Sequence, residues 1–353
     1  MSQKDFRDLF LENIVNFLWR QWSALGVLGE ARTKDPWIYD PEPMLLFTLE
    51  MGRYEPRLFD EVVDWLIVNG KWVDIQRLRG ILREKSEINR NLVGAVAAFL
   101  TNQGDERKWR NLSQFCRTRG SNSPSNIEAF FYEKNGKPHP ITKTPDPSFL
   151  LYGLNRPQLR VRQMTRKVPI TSHNTLRFLL RALFGLGSRA ECLVYLLTHD
   201  GGHPGEVAKA IGLSVRGTQD ALIELSRSGL ILTRVKGKRK IEYWLSQERW
   251  WEFLSRGSIT EIKRPIWIDW IVLYSALSKI WSTLNEIGKE GMSDYMRSSK
   301  LRDSLEVVGA EFAKSGLDIP SIPGSDVSSS VYEKVFEEFI MKVFGASYGG
   351  TGK

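Results

Sequence analysis

Several groups of residues in this sequence could, by type and spacing, do chemistry, and each lacks a part. Gly185, Gly187 and Ala190 fit a dinucleotide-binding loop, but a helical run precedes them where a phosphate cradle needs a strand. The stretch from Gly345 to Lys353 imitates a phosphate loop without the Ser/Thr and helix that complete one, so 345–353 is expected to be a flexible tail. Arg166 and His173 have a spacing found in helical ribonucleases, yet Pro169 interrupts any helix that would join them. His199 and His203 lie four apart across Asp200-Gly201-Gly202 with no fixed third ligand for a metal. Cys192 sits among Ala190, Leu193, Val194 and Leu196 and reads as a buried core thiol. No catalytic residue, metal site or cofactor is assigned, and the expectation is a protein that is not an enzyme.

What remains is charge. The 353 residues carry a formal net charge of +9, and the excess is local. Segment by segment it is +1 in 1–126, +5 in 127–174, +5 in 175–256 and −2 in 257–353. No carboxylate occurs between Asp146 and Glu191, while Arg156, Arg160, Arg162, Arg166, Lys167, Arg177, Arg181 and Arg189 fall inside that gap. The implied partner is a polyanion. With 42% hydrophobic residues the chain can pack two or three domains, which excludes a disordered chain. Two cysteines, Cys116 and Cys192, supply neither a disulfide framework nor a metal quartet. The charged start offers no export signal, and Asp269 and Lys279 interrupt the most apolar window, Trp267 to Leu284. A cytoplasmic protein that does not enter membranes is expected.

The elements that would position such a charge are mostly helices. Apolar residues recur at helical spacing over Asp5 to Trp22, Pro41 to Gly52, Pro56 to Gly70, Ile75 to Glu84 and Ile88 to Asn102, giving a helical N-terminal domain over 1–119. Residues 120–174 form a breaker-rich linker, with one short helix around Ile127 to Tyr132, and then a partly extended basic arm: Arg156, Arg160, Arg162, Arg166 and Lys167. From Thr175 the order is four helices and a hairpin: Thr175 to Phe184, Ser188 to His199 with Ser188 and Glu191 at capping-box spacing, Pro204 to Ile211, Ser214 to Ser228, then strands Leu230 to Lys236 and Ile241 to Leu245. Glu248 to Leu254 closes that unit, and 257–344 is a helical C-terminal domain. The fold class expected is mainly α.

Within the central unit, the run from Gly205 to Ile231 resembles the helix-turn-helix of winged-helix repressors of the MarR and ArsR kind, and the resemblance extends over about 175–256. Val207, Ala208 and Ile211 make the buried face of the first helix, Gly212 and Leu213 the turn, and Thr218, Leu222 and Leu225 the inward face of the second. The resemblance implies that Val215, Arg216, Gln219 and Asp220 face the major groove and read bases. It assigns Ser214, Lys236, Lys238, Arg239 and Lys240, at the cap and on the wing, to the backbone. Many relatives carry a basic or histidine side chain where Asp220 and Ala221 stand, which leaves fewer groove contacts or an Asp220 accepting from a cytosine amino group.

In the last segment Trp267, Trp270, Tyr274, Leu277 and Trp281 recur at spacings of three and four. So large a stripe is either internal packing or a self-association surface. The expectation is a prokaryotic, double-stranded-DNA-binding transcriptional regulator, a homodimer, with an N-terminal domain able to meet a partner protein. The alternative is a winged-helix interaction subunit or antitoxin-like partner of another protein.

Overall fold

The computed structural model describes residues 3–28, 35–104, 106–117, 126–170, 172–237, 240–254, 265–287, 292–315, 321–324 and 327–345. The fold is mainly α, with fifteen α-helices and four short strands among those residues. Residues 346–353 of the expected tail and 120–125 of the expected linker lie outside them.

The first six helices are α1 (Gln3–Ala24), α2 (Pro41–Met51), α3 (Pro56–Asn69), α4 (Ile75–Glu84), α5 (Arg90–Thr101) and α6 (Glu106–Cys116). Local chemistry starts several of them. Pro41 and Pro56 open α2 and α3, where the absent N–H costs nothing. Asp74 caps α4 by accepting from the Gln76 and Arg77 amides at 2.9 and 3.1 Å. The sequence pattern did not suggest α6, whose buried side is Trp109, Leu112 and Cys116.

After α6 the expected short helix around Ile127 to Tyr132 is absent. Strand β1 (Glu128–Ala129) pairs in parallel with β2 (Leu154–Asn155), and α7 (Pro147–Leu150) lies between them. Then follow α8 (Leu176–Phe184), α9 (Ser188–Leu196), α10 (Pro204–Ile211), α11 (Val215–Arg227), the hairpin β3 (Leu232–Lys236) and β4 (Lys240–Trp244), and α12 (Gln247–Leu254). The chain ends with α13 (Trp270–Ile287), α14 (Asp294–Ser315) and α15 (Ser329–Gly345).

Buried apolar residues form two cores. The smaller is made by α8 to α12 with β4. The larger joins α1 to α6 with α13, α14 and α15, so the C-terminal helices share the N-terminal core and have none of their own. Helix α13 is its central rod. Trp281 stacks on Phe10 at 6.4 Å, Tyr274 on Phe47 at 4.8 Å, and Trp270 meets Phe17 at 6.2 Å. Trp270 Nε1 donates to the Ile38 carbonyl at 2.6 Å and Tyr274 Oη to Gln21 Oε1 at 2.7 Å, so both aromatic polar tips are satisfied inside. This corrects the self-association surface: Trp270, Tyr274, Leu277 and Trp281 are all buried within one chain. Trp267 is half-buried and packs instead on Tyr195 and His199 of the smaller core, at 5.7 and 5.5 Å.

Candidate nucleic-acid interface

Helix α10 begins with a reciprocal cap. His203 accepts from the Gly205 amide, and Glu206 accepts from the His203 amide at 3.2 Å, which gives His203 a structural task. His199 is stacked on Tyr195 at 3.8 Å, and burial lowers its pKa. Helix α10 ends at Gly212, which takes φ +66°, and a Cβ there would lie 2.7 Å from Ile271 Cδ1 of α13. The left-handed conformation is what favours glycine here, since the Ile271 methyl lies at the free end of a flexible side chain. Ser214 then caps α11, its Oγ accepting from the Gly217 amide at 3.2 Å.

The rotation of α11 follows from what it buries: Thr218, Ala221, Leu222 and Leu225. Val215, Arg216, Gln219 and Asp220 are all exposed on the opposite side, Val215 at 54%. Ala221 belongs to the core, so of Asp220 and Ala221 only Asp220 reaches the surface. Arg189 of α9 flanks the helix, pairing with Glu224 at 2.6 Å.

In the hairpin, residues 232–236 pair antiparallel with 240–244. Tyr243 exchanges two backbone hydrogen bonds with Gly202, at 2.9 and 3.0 Å, tying the hairpin to the approach to α10. Lys236 is not a spare cation: it pairs with Glu242 at 3.0 Å, as does Arg234 at 2.5 Å. Hydrogen bonds from Arg234 and then Lys236 hold the Glu242 carboxyl below the ordinary carboxylate range. Lys240 is exposed, and Lys238 and Arg239 lie outside the described residues.

The basic arm is a strap. It runs along α3 and is fastened by that helix's polar side chains. Arg156 pairs with Asp60 at 2.7 Å, Arg162 meets Glu61 at 3.4 Å, the Met164 amide donates to Asp64 at 3.0 Å, and Asn69 bonds the Arg166 carbonyl and the Val168 amide at 2.9 and 3.1 Å. Arg156 is 2% exposed, ringed by Phe59, Phe130, Phe131 and Phe149 at 4.9–5.4 Å. It cannot meet DNA. Arg160, Arg162, Arg166 and Lys167 keep exposed side chains on a backbone held to the protein.

Arg177 and Arg181 are also internal. Together with Arg77 they meet Asp40, Glu42 and Glu191, and none of the six is more than 3% exposed. Arg77 pairs with Asp40, and with Glu42 at 2.6 Å; Arg177 pairs with Asp40 at 3.3 Å and with Glu191; Arg181 pairs with Glu42 and Glu191, each at 2.7 Å. The formal charges cancel. Burial pushes the Glu42 carboxyl up, but Arg181 and Arg77 outweigh it and hold it well below the usual range. Burial lowers Arg177; Asp40 opposes this and Arg77 and Arg181 add to it. The expected Ser188–Glu191 capping box therefore does not form, because these arginines occupy Glu191 and no side chain caps α9. The cluster joins α2 and α4 to α8 and α9, and Arg77 Nε reaches further, donating to the Ile211 carbonyl at the end of α10 at 2.6 Å.

Sequence reasoning gave Arg177, Arg181 and Glu191 other roles and missed Asp40, Glu42 and Arg77 altogether. The one local signal was the pair Arg177 and Arg181 four apart on the apolar face of a short helix. No helix among the described residues is long and apolar enough to cross a membrane, and the described residues hold no group of three or more metal-ligating side chains. No family model, curated protein or solved structure matches this chain.

Proposed function

We propose that residues 175–256 act as a winged helix that binds double-stranded DNA with sequence preference, and that the protein is a transcriptional regulator of prokaryotic repressor type. The observation that carries the reading is the exposed row Val215, Arg216, Gln219 and Asp220 on the first two turns of α11, a helix fixed in rotation by its buried side. Arg216 has the fork to reach guanine O6 and N7, and Gln219 to reach adenine. Lys240 supplies phosphate contacts, together with Lys238 and Arg239, which adjoin it in the sequence. Because one such helix reads only a few base pairs, the operator-bound form is a homodimer on two half-sites. Its contact surface does not include the α13 stripe. Titrating labelled duplexes at two salt concentrations tests the reading: salt-sensitive binding, with preference among selected duplexes, supports it, and no binding at low salt removes it.

One observation favours the second reading, an interaction subunit or antitoxin-like partner. Val235 and Ile241 stand opposite each other on the hairpin, 73% and 49% exposed, while Glu242 pairs with two of its cations, Arg234 and Lys236. An exposed apolar pair on the hairpin suits a protein surface, and binding to a partner chain without binding to DNA would select this reading.

A further inference from the structure

Helix α4 belongs to the body of the molecule, yet it abuts the turn between α10 and α11. A Cβ at Gly80 would lie 3.4 Å from the Gly212 carbonyl oxygen, and Arg77 one turn earlier bonds the Ile211 carbonyl. Arg83, one turn beyond Gly80 on the same side, is exposed. Next to it a cationic cluster has formed. The guanidinium carbons of Arg79 and Arg83 of α4 and Arg90 of α5 lie 4.8, 5.3 and 5.5 Å from the ring centroid of Phe115 on α6. Among the described residues no carboxylate pairs with any of the three. Arg79 Nε is buried without a hydrogen-bond partner, and Arg90 donates to the Leu82 carbonyl at 2.8 Å.

Three like charges gathered on one ring, within roughly a Debye length of about 8–10 Å, repel one another unless an anion joins them. The ring fixes the guanidinium positions, and the planar forks match phosphate oxygens two at a time. Glu84 is the one carboxylate on α4, and it follows Arg83 in the last turn without pairing with it.

We propose that Arg79, Arg83 and Arg90, gathered around Phe115 beside the α10–α11 turn, hold a backbone phosphate of the duplex that α11 reads. This rests on the DNA-binding reading above and adds to it a contact from outside the winged-helix segment. The cluster carries no base information; it anchors the body and fixes the angle at which α11 enters the groove.

The test is the salt dependence of affinity, measured by fluorescence anisotropy on a preferred and a random duplex with the whole chain. Arg83→Glu alters an exposed side chain, and Arg79→Gln with Arg83→Gln removes two forks. The slope of log K against log salt is expected to flatten by about 0.9 for each phosphate no longer neutralised, with equal weakening on both duplexes and an unchanged preference ratio. Arg79→Lys with Arg83→Lys, which keeps the charge, is expected to retain the slope. A wild-type slope in Arg83→Glu and in the double Gln variant would overturn the proposal and leave the α11 reading standing. Failure of the unaltered chain to bind any duplex would remove both, and binding of an acidic protein in place of DNA, abolished in Arg83→Glu, would reassign the cluster to that partner. Arg216→Ala is the separate control, expected to lose the preference ratio while the slope remains.

Discussion

Replacing Arg181 with Met keeps the length and apolar stem of the side chain and removes its charge. Arg181 donates to Glu42 at 2.7 and 2.9 Å, to Glu191 at 2.9 and 2.7 Å, and to the Trp72 carbonyl at 2.6 Å. Five charge-assisted bonds summed individually would overshoot, because Glu42 keeps Arg77 and the Asp74 amide, and Glu191 keeps Arg177. The surviving cluster nevertheless holds one uncompensated negative charge away from water. Breaking a buried pair in this way costs about 3–5 kcal/mol. Against a typical total of about 5–15 kcal/mol that is a large fraction, so the urea midpoint should fall markedly at neutral pH. Tryptophan fluorescence can follow it, since Trp72 and Trp267 border the cluster. Adding Glu191→Gln to Arg181→Met removes the orphaned charge, and the double variant should recover at least ~1 kcal/mol relative to additive losses. A loss below ~1 kcal/mol for Arg181→Met, or strict additivity, would refute the account of the cluster as a mutually dependent unit.

Two further outcomes are expected. Glu50 is half-buried, and its desolvation raises its pKa against a hydrogen bond from Ser278. The folded state therefore keeps that proton after the unfolded chain has lost it, and stability is lost as pH rises through the window above 4.5. Glu50→Gln removes the titration, so its stability relative to the parent should improve as pH rises above 4.5, and a pH-independent difference in urea melts would contradict this. Gly212→Ala places a Cβ against Ile271 at φ +66° and should cost about 1–2 kcal/mol for the conformation alone; a neutral substitution would show that the turn relaxes freely.

The α10–turn–α11 unit was legible because its determinants are local. Gly212 in the turn, Ser214 at the cap, and Thr218, Leu222 and Leu225 at spacings of four and three define both the bend and the rotation of the second helix. Helices α2, α3 and α4 were legible for the same reason, each starting at a proline or after a capping aspartate. Charge was misleading, because a sequence shows that a segment is basic and not where its partners are. The carboxylate-free stretch drew its counter-ions from α2, α3 and α9, so Arg156, Arg177 and Arg181 went inside. The α13 stripe had the reverse ambiguity: it was plainly destined for burial, but its partners, Phe10, Phe17 and Phe47, lie more than 200 residues earlier in the chain. The arginine cluster around Phe115 spans three helices and left no local pattern.

The central claim is that α11 reads bases, and Arg216 tests it most directly. The measurement is the affinity of the parent chain and of Arg216→Ala on a duplex selected by the parent and on random duplexes at one fixed salt concentration. Arg216 is exposed in the first turn of α11 and its removal leaves the buried side intact, so the fold is unaffected. The account predicts a loss of about 1–3 kcal/mol on the selected duplex, roughly five- to 150-fold, with random-duplex binding nearly unchanged. Equal affinities of parent and variant on the selected duplex, or equal losses on selected and random duplexes, would contradict it.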